Sequence, residues 1–211
     1  MSQTSPEVLE HFKAMATACA AKIVEVSSPS EIARYVVDVC TEKTPCEILA
    51  EEPGTATGPE KGPNGMPTRA QRIIAAPGID AALFGELKTA AEEKGFACID
   101  GGVRKYLAGI DVGLSFALCG VAASGTCLVA TTDEDVRLAG MVSEISIIVL
   151  KKSDIYPDLP SVCNILRDLQ KDGQASYNTF ITGPSRTADI ERVSALGVHG
   201  PLELHIILLE D

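Results

Sequence analysis

Thr179-Phe180-Ile181-Thr182-Gly183-Pro184-Ser185-Arg186-Thr187 runs from a short apolar strand into a polar loop, and Leu202-Glu203-Leu204-His205-Ile206-Ile207-Leu208-Leu209 closes the chain as a second strand. Gly183 and Pro184 break the first strand, and Ser185, Arg186 and Thr187 supply donors just beyond it. Ala188 to Leu196 carries good helix formers, with Asp189 and Glu191 in the first turn, where the helix dipole favours carboxylates, and Gly197 at the stop. The last strand passes from alternating to continuous apolar character, as a strand entering a doubly covered sheet does. If the two strands share one parallel sheet, the first loop opens a helix at a strand's carboxyl end. Open α/β sheets bind ligands at that edge. Backbone N–H groups there, helped by Arg186, suit a carboxylate or phosphate. In the competing reading, Arg186 pairs with a carboxylate and caps a neighbouring loop.

Upstream the alternation repeats. Ser5-Pro6 opens a helix with Leu9, Phe12, Ala16 and Cys19 on one face, and Ile23 to Val26 is a strand. Ser28-Pro29-Ser30-Glu31 has capping-box spacing before a helix that turns Ile32, Tyr35, Val36 and Val39 inward. Cys46 to Ala50, Arg72 to Ala76, Phe96 to Ile99, Cys127 to Ala130 and Ile145 to Leu150 read as strands, Ala81 to Lys94 and Ser161 to Gln170 as helices, and Thr131 to Asp135 as an acidic turn. The fold class predicted is α/β, a three-layer α/β/α arrangement with a largely parallel sheet, in a single domain over residues 1–211. Glu51 to Arg69 stands apart: its Pro-Gly, Gly-Pro and Asn-Gly pairs exclude a long helix or central strand. A loop of this length is a surface insertion, or else a lid or docking loop.

Composition narrows the function. With 18 Lys and Arg against 29 Asp and Glu, the formal charge of -11 argues against nucleic acid or an anionic membrane as a main partner. Any anion site is then a local basic island. Seven cysteines (Cys19, Cys40, Cys46, Cys98, Cys119, Cys127 and Cys163) are odd in number, lack Cys-x-x-Cys spacing and sit mostly among apolar neighbours, which predicts free thiols in a reducing compartment. No leader pattern opens the sequence, and no stretch approaches the roughly 20 apolar residues of a membrane span, so the expected location is cytoplasmic. There is no metal-ligand spacing, nucleophile elbow, Walker loop or dinucleotide fingerprint, so no metal or cofactor is expected and catalytic residues stay unassigned. Of the three histidines, His11 reads as solvated, His205 as structural, and His199, in a Gly-Pro loop, as the candidate for ligand contact or proton transfer.

The run Thr182 to Glu191, TGPSRTADIE, followed by Gly197 to His205, GVHGPLELH, resembles the C-terminal signature of the LUD-domain family, in its lactate utilisation protein C-like branch. Gly109 to Thr126 is similar to that family's central segment, in which a glycine-containing strand leads to a polar Gly-Thr turn. The chain departs from the pattern there: Ala123 stands where relatives carry an acidic residue, and Ser146 where many carry a histidine. Ala123 cannot act as nucleophile or base, which favours binding over self-contained catalysis. The resemblance implies a fold like that of the NagB/RpiA/CoA transferase class. It also implies a role as a component of an iron–sulfur lactate utilisation system oxidising L-lactate to pyruvate. The clusters would lie on companion oxidoreductase subunits, and this chain would carry none.

The candidate ligand-binding set is Gly183, Ser185, Arg186, Thr187, Asp189, His199 and Gly200, with Ser124, Gly125 and Thr126 from the central turn. The partners expected are a small anionic ligand and the iron–sulfur subunits. The alternative is an independent enzyme acting on a phosphorylated or CoA-linked substrate, with Asp111 or Asp189 supplying the missing acid. A third reading is a structural or regulatory scaffold.

Overall fold

The computed structural model describes residues 4–48, 50, 54–106, 108–171, 177–187, 195–196 and 200–211. Helix α1 (Pro6–Ala18) starts at Ser5, whose hydroxyl accepts from the Val8 N–H at 3.3 Å, and Pro6 sits where no N–H is needed. β1 (Ala21–Val26) and α2 (Pro29–Glu42) follow, then a two-stranded ribbon of β2 (Thr57–Lys61) and β3 (Pro67–Arg69). Next are β4 (Ile73–Ala75), α3 (Ala81–Glu93), β5 (Ala97–Ile99), β6 (Ile110–Phe116), β7 (Cys119–Val121) and β8 (Thr126–Thr131). The chain continues through α4 (Glu134–Val142), β9 (Ser143–Lys151), β10 (Ile155–Tyr156), α5 (Leu159–Leu169) and β11 (Tyr177–Ile181). β12 (Arg186–Thr187), β13 (Ala195–Leu196) and β14 (Glu203–Leu209) complete it.

Six strands form one sheet in the order β1-β14-β9-β6-β4-β5, every neighbouring pair parallel. Its central strands are apolar on both faces because both are covered. On one face α2 and α3 bury Ile32, Val36, Leu83 and Leu87 against Val112, Ile147 and Ile207. On the other, α1 and a smaller sheet, β10-β7-β8-β11, close over Ile148, Leu150, Ile206 and Leu208. Each such fully buried side chain contributes roughly 1.5–3 kcal/mol relative to exposure. α5 covers the far side of the smaller sheet through Val162.

The α/β class and the large parallel sheet with helices on both faces are as the sequence pattern indicates, and five local readings change. Of the loop expected over Glu51 to Arg69, Thr57–Lys61 and Pro67–Arg69 pair as a ribbon: the turn between them wraps Glu47, which accepts from the Asn64 N–H and Nδ2 at 2.8 Å each and from the Met66 N–H at 3.2 Å. Of the strand expected over Cys46 to Ala50, the described residues show a single bridge, from Glu47 to Thr68. β11 is not in the parallel sheet with β14; it pairs antiparallel with β8 at the edge of the smaller sheet, leaving Tyr177 and Phe180 exposed. Finally, α4 takes up the residues following the acidic turn. Asp133 caps it by accepting from the Asp135 N–H, and it lies so close to β6 that a Cβ on Gly113 would stand 1.9 Å from the Ala139 carbonyl oxygen. Of the helix expected over Ala188 to Leu196, residues 188–194 lie outside the described residues, while Ala195–Leu196 pairs antiparallel with Arg186–Thr187 as extended chain.

Candidate functional site

The Gly183–Thr187 loop and the Ser124-Gly125-Thr126 turn do come together, over the C-terminal end of α1. A chain of hydroxyls joins them: Ser124 Oγ lies 2.7 Å from Thr126 Oγ1, which lies 2.6 Å from Thr182 Oγ1. Both glycines are demanded by this contact. Gly125 has φ +63° and a Cβ there would fall 2.2 Å from the Ala16 nitrogen; Gly183 has φ +73° and its Cβ would fall 2.3 Å from the Cys19 carbonyl oxygen. Arg186 is exposed and donates from Nη2 to that same carbonyl at 3.3 Å. A cation there suits the negative end of the α1 dipole. The partner of Arg186 at the end of α1 is thus a carbonyl, not the carboxylate of the competing reading.

Ser185 donates its N–H to the Pro201 carbonyl at 3.0 Å, and its side chain packs against Gly200, where an added Cβ would meet Ser185 Cβ at 3.0 Å. Thr187 is held in β12 opposite Ala195. Asp189 and His199 lie outside the described residues. The loop's position differs from the expectation in one respect. Because β11 belongs to the smaller sheet, the loop meets the six-stranded sheet at its amino edge: Gly183 packs on Cys19 just before β1, and the Leu202 N–H donates to the Glu144 carbonyl at 2.7 Å near the start of β9.

That amino edge holds a cleft of about 930 Å³, lined among others by Glu42, Lys43, Asn64, Glu144, Gly200 and Glu203. Its wall contains a buried charge cluster that the sequence did not disclose. Lys43 Nζ lies 2.6 Å from Asp111 Oδ1, 3.0 Å from Glu144 Oε2 and 3.7 Å from Cys46 Sγ, and it donates to the Thr44 carbonyl at 2.6 Å. Burial by itself would lower the Lys43 pKa; the Asp111 carboxylate, followed by Cys46 and Glu144, outweighs it and raises the pKa above the ordinary lysine value. Burial, and then Asp111, push the Cys46 thiol well above its usual range, so it is no thiolate nucleophile. Asp111 is fully buried, accepting also from the Cys46 N–H at 3.0 Å and the Ile73 N–H at 2.8 Å. It therefore ties three segments together and does not face the Arg186 loop as a spare acid would.

His205 is structural in the sense expected: it is 3% exposed, with Nδ1 3.0 Å from the Tyr35 hydroxyl and Nε2 2.9 Å from Glu203. All seven cysteines are free; Cys40, Cys46, Cys119 and Cys127 are buried and Cys163 is exposed. Among the described residues no cluster of three His, Cys, Asp or Glu is placed to hold a metal, and no helix is long and apolar enough to cross a membrane.

With this geometry in hand, comparisons with known proteins locate the chain. The LUD domain profile matches residues 9–209. Over 102 residues the chain is 35% identical to the uncharacterised protein YkgG of Escherichia coli K12, covering 47% of this chain and 44% of that one. Over 103 residues it is 33% identical to lactate utilization protein C of Bacillus subtilis 168, covering 48% and 43% respectively. The matched stretch thus spans under half the length of these relatives. A crystal structure of a DUF162 family protein from Deinococcus radiodurans superposes with a TM-score of 0.57 at 16% identity, over 99% of both chains, a likeness of fold.

Proposed function

The chain belongs to the LUD-domain family, and from that premise we propose that it is a component of lactate utilisation. It works beside iron–sulfur oxidoreductase subunits that oxidise L-lactate to pyruvate, carries no cluster itself, and acts in the cytoplasm. The observation that carries this reading is the family match across residues 9–209, taken with the name of the Bacillus relative. The rim where the Ser124–Thr126 turn meets the Gly183–Thr187 loop supports a contact with a small anion or a partner subunit. Arg186 is exposed there and spends one N–H on Cys19, and Ser185, Thr187 and Gly200 belong to the same proposed surface.

The test is genetic and biochemical together. A deletion strain regains growth on L-lactate with the wild-type chain, and native pull-down of the chain recovers cluster-bearing oxidoreductase subunits. Recovery of no such subunits, with growth unaffected by the deletion, overturns the reading.

The cleft of about 930 Å³ favours a second reading, an enzyme acting on a phosphorylated or CoA-linked substrate, because its size suits such a molecule and Glu144 stands there beside a buried ammonium. Turnover of sugar phosphates or CoA esters by the purified chain, lost in Glu144→Gln, would establish it. Absence of turnover across both classes removes it.

A further inference from the structure

Arg72 and Phe96 stand side by side just before the paired strands β4 and β5, where Ile73 lies opposite Ala97. The Arg72 guanidinium lies over the Phe96 ring, 5.4 Å from its centre, and Nη2 donates at 2.7 Å to the Lys43 carbonyl at the end of α2. Among the described residues Arg72 has no carboxylate partner, and its Nε is shielded from water without an acceptor. A half-buried guanidinium is ordinarily paired, because its charge and its N–H groups both lose hydration. This one keeps most of its donors uncommitted.

Arg72, Phe96 and Pro45, which follows closely on Lys43, all line a cavity of about 250 Å³ between the β2–β3 ribbon and the end of α3. The other charged residues of its lining are Arg69, Lys94 and Glu60, so three cations meet one carboxylate in a chain whose formal charge is -11. Arg69 has its donors engaged, at 3.3 Å on the Gly109 carbonyl and 3.2 Å on the Thr55 hydroxyl. Lys94 is exposed and forms no ion pair among the described residues. The main-chain N–H groups of Arg69, Ala70, Gly95 and Phe96 are already bonded to carbonyls, so a ligand here is held by side-chain cations. Cations at the ends of α2 and α3 also suit the helix dipoles. That role uses one Arg72 N–H and leaves the rest without a purpose.

We propose that this cavity is a site for a doubly charged tetrahedral oxyanion, a phosphate group, held between the Arg72 guanidinium and the Lys94 ammonium. The planar guanidinium, fixed by Phe96 and Lys43, presents its remaining N–H groups to the phosphate oxygens, and the mobile ammonium supplies the second charge. A volume of about 250 Å³, against roughly 30 Å³ for one water, leaves room for a short organic stem beyond the phosphate itself. The site is distinct from the rim loop and lies across Pro45 from the larger cleft, and it depends on neither functional reading above.

The experiment titrates the whole purified chain with inorganic phosphate, sulfate, glycerol 3-phosphate and acetate, at an ionic strength held constant with chloride, and follows backbone amide shifts. Phosphate and sulfate bind saturably and shift Ala70, Arg72, Gly95 and Phe96, and acetate does not. Tighter binding of glycerol 3-phosphate than of phosphate assigns an ester as the source, and equal binding assigns the free ion. Arg72→Gln weakens phosphate binding by about tenfold or more, the loss of a charge-assisted pair, and Lys94→Gln weakens it less. Should Arg72→Gln unfold, Ala70→Glu decides the matter: Ala70 is an exposed part of the lining, and a carboxylate there repels the anion and removes binding without entering the core. Phosphate binding unchanged in both Ala70→Glu and Lys94→Gln overturns the proposal. So does acetate binding as tightly as phosphate, or no saturable binding to the wild-type chain. If Arg186→Ala abolishes binding while Ala70→Glu leaves it intact, the anion sits at the rim loop and the cavity proposal fails while the rim reading stands.

Discussion

Asp111 and Ser115 lie on the same strand, β6, and both are shielded from water, yet their polar atoms are treated oppositely. Asp111 accepts from Lys43, from the Cys46 N–H and from the Ile73 N–H, so its charge is matched and its oxygens tie the end of α2 and the start of β4 to the middle of the sheet. The Ser115 hydroxyl has no hydrogen-bond partner. A buried group whose bonds are all made locks neighbouring segments in place and has little left to offer a ligand; one left unpaired destabilises the empty protein and rewards whatever completes it. Burial of a polar residue is therefore no guide to function until its bonds are counted. By that count the Lys43–Asp111 cluster is architecture beside a large cleft.

Three substitutions can break this contrast. Asp111→Ala has the largest expected effect: it leaves the buried Lys43 ammonium with Glu144 as its one carboxylate partner and two buried backbone N–H groups unpaired, at a cost of about 3–5 kcal/mol in denaturant unfolding. A loss below about 1 kcal/mol would mean that the cluster is not structural and that Lys43 and Glu144 are available to the cleft. Gly113→Ala comes next, because its Cβ would meet the Ala139 carbonyl at 1.9 Å and push α4 off the sheet. Overpacking of this kind costs about 1–3 kcal/mol, and hydrogen exchange should find protection lost in α4 before the central strands. Ser115→Ala is expected to leave stability unchanged or raise it by up to about 1 kcal/mol, since it deletes an unpaired hydroxyl. A clear loss of stability would reveal a bond to Ser115 and remove the contrast.

The same bond-counting explains what the sequence could reveal. The parallel sheet was legible because its strands are apolar on both faces: Ile145 to Leu150 and Leu204 to Leu209 have no polar alternation to misread apart from Ser146 and His205. β11 was misassigned because Thr179-Phe180-Ile181-Thr182 is too short to distinguish a covered strand from the edge of a second sheet. The pairing that decides it, Thr179 opposite Val129, is remote in sequence. α4 was hidden behind its own cap, since Asp133-Glu134-Asp135 reads equally as an acidic turn and as the first turn of a helix. Gly113, whose missing Cβ admits that helix, read as part of a glycine-containing strand. The meeting of Thr126 with Thr182 was foreshadowed by two polar loops next to glycines. The Lys43–Asp111–Glu144 cluster gave no signal, because its members come from three separate segments and match no spacing rule.

His205 offers a smaller test of the same idea, since both its ring nitrogens are bonded and yet its charge is not favoured. Burial is the larger influence and lowers its pKa below 6.5, while the hydrogen bond to Glu203 opposes it. As acid is added, the unfolded chain therefore takes up a proton at this residue before the folded one does. Its contribution to stability is fully present above about pH 6.5 and declines as the pH falls through that value toward the folded pKa. Glu203 titrates in a separate window, because its pKa is held below 4.5: burial would raise it, but Lys22 and His205 together lower it. The melting temperature is accordingly expected to fall modestly between about pH 7.5 and about pH 5.5, and the His205→Gln variant to lose that part of the slope. A melting temperature that rises over this interval would mean that the protonated ring gains more from Glu203 than burial takes away, and that satisfied bonds do decide charge at this site.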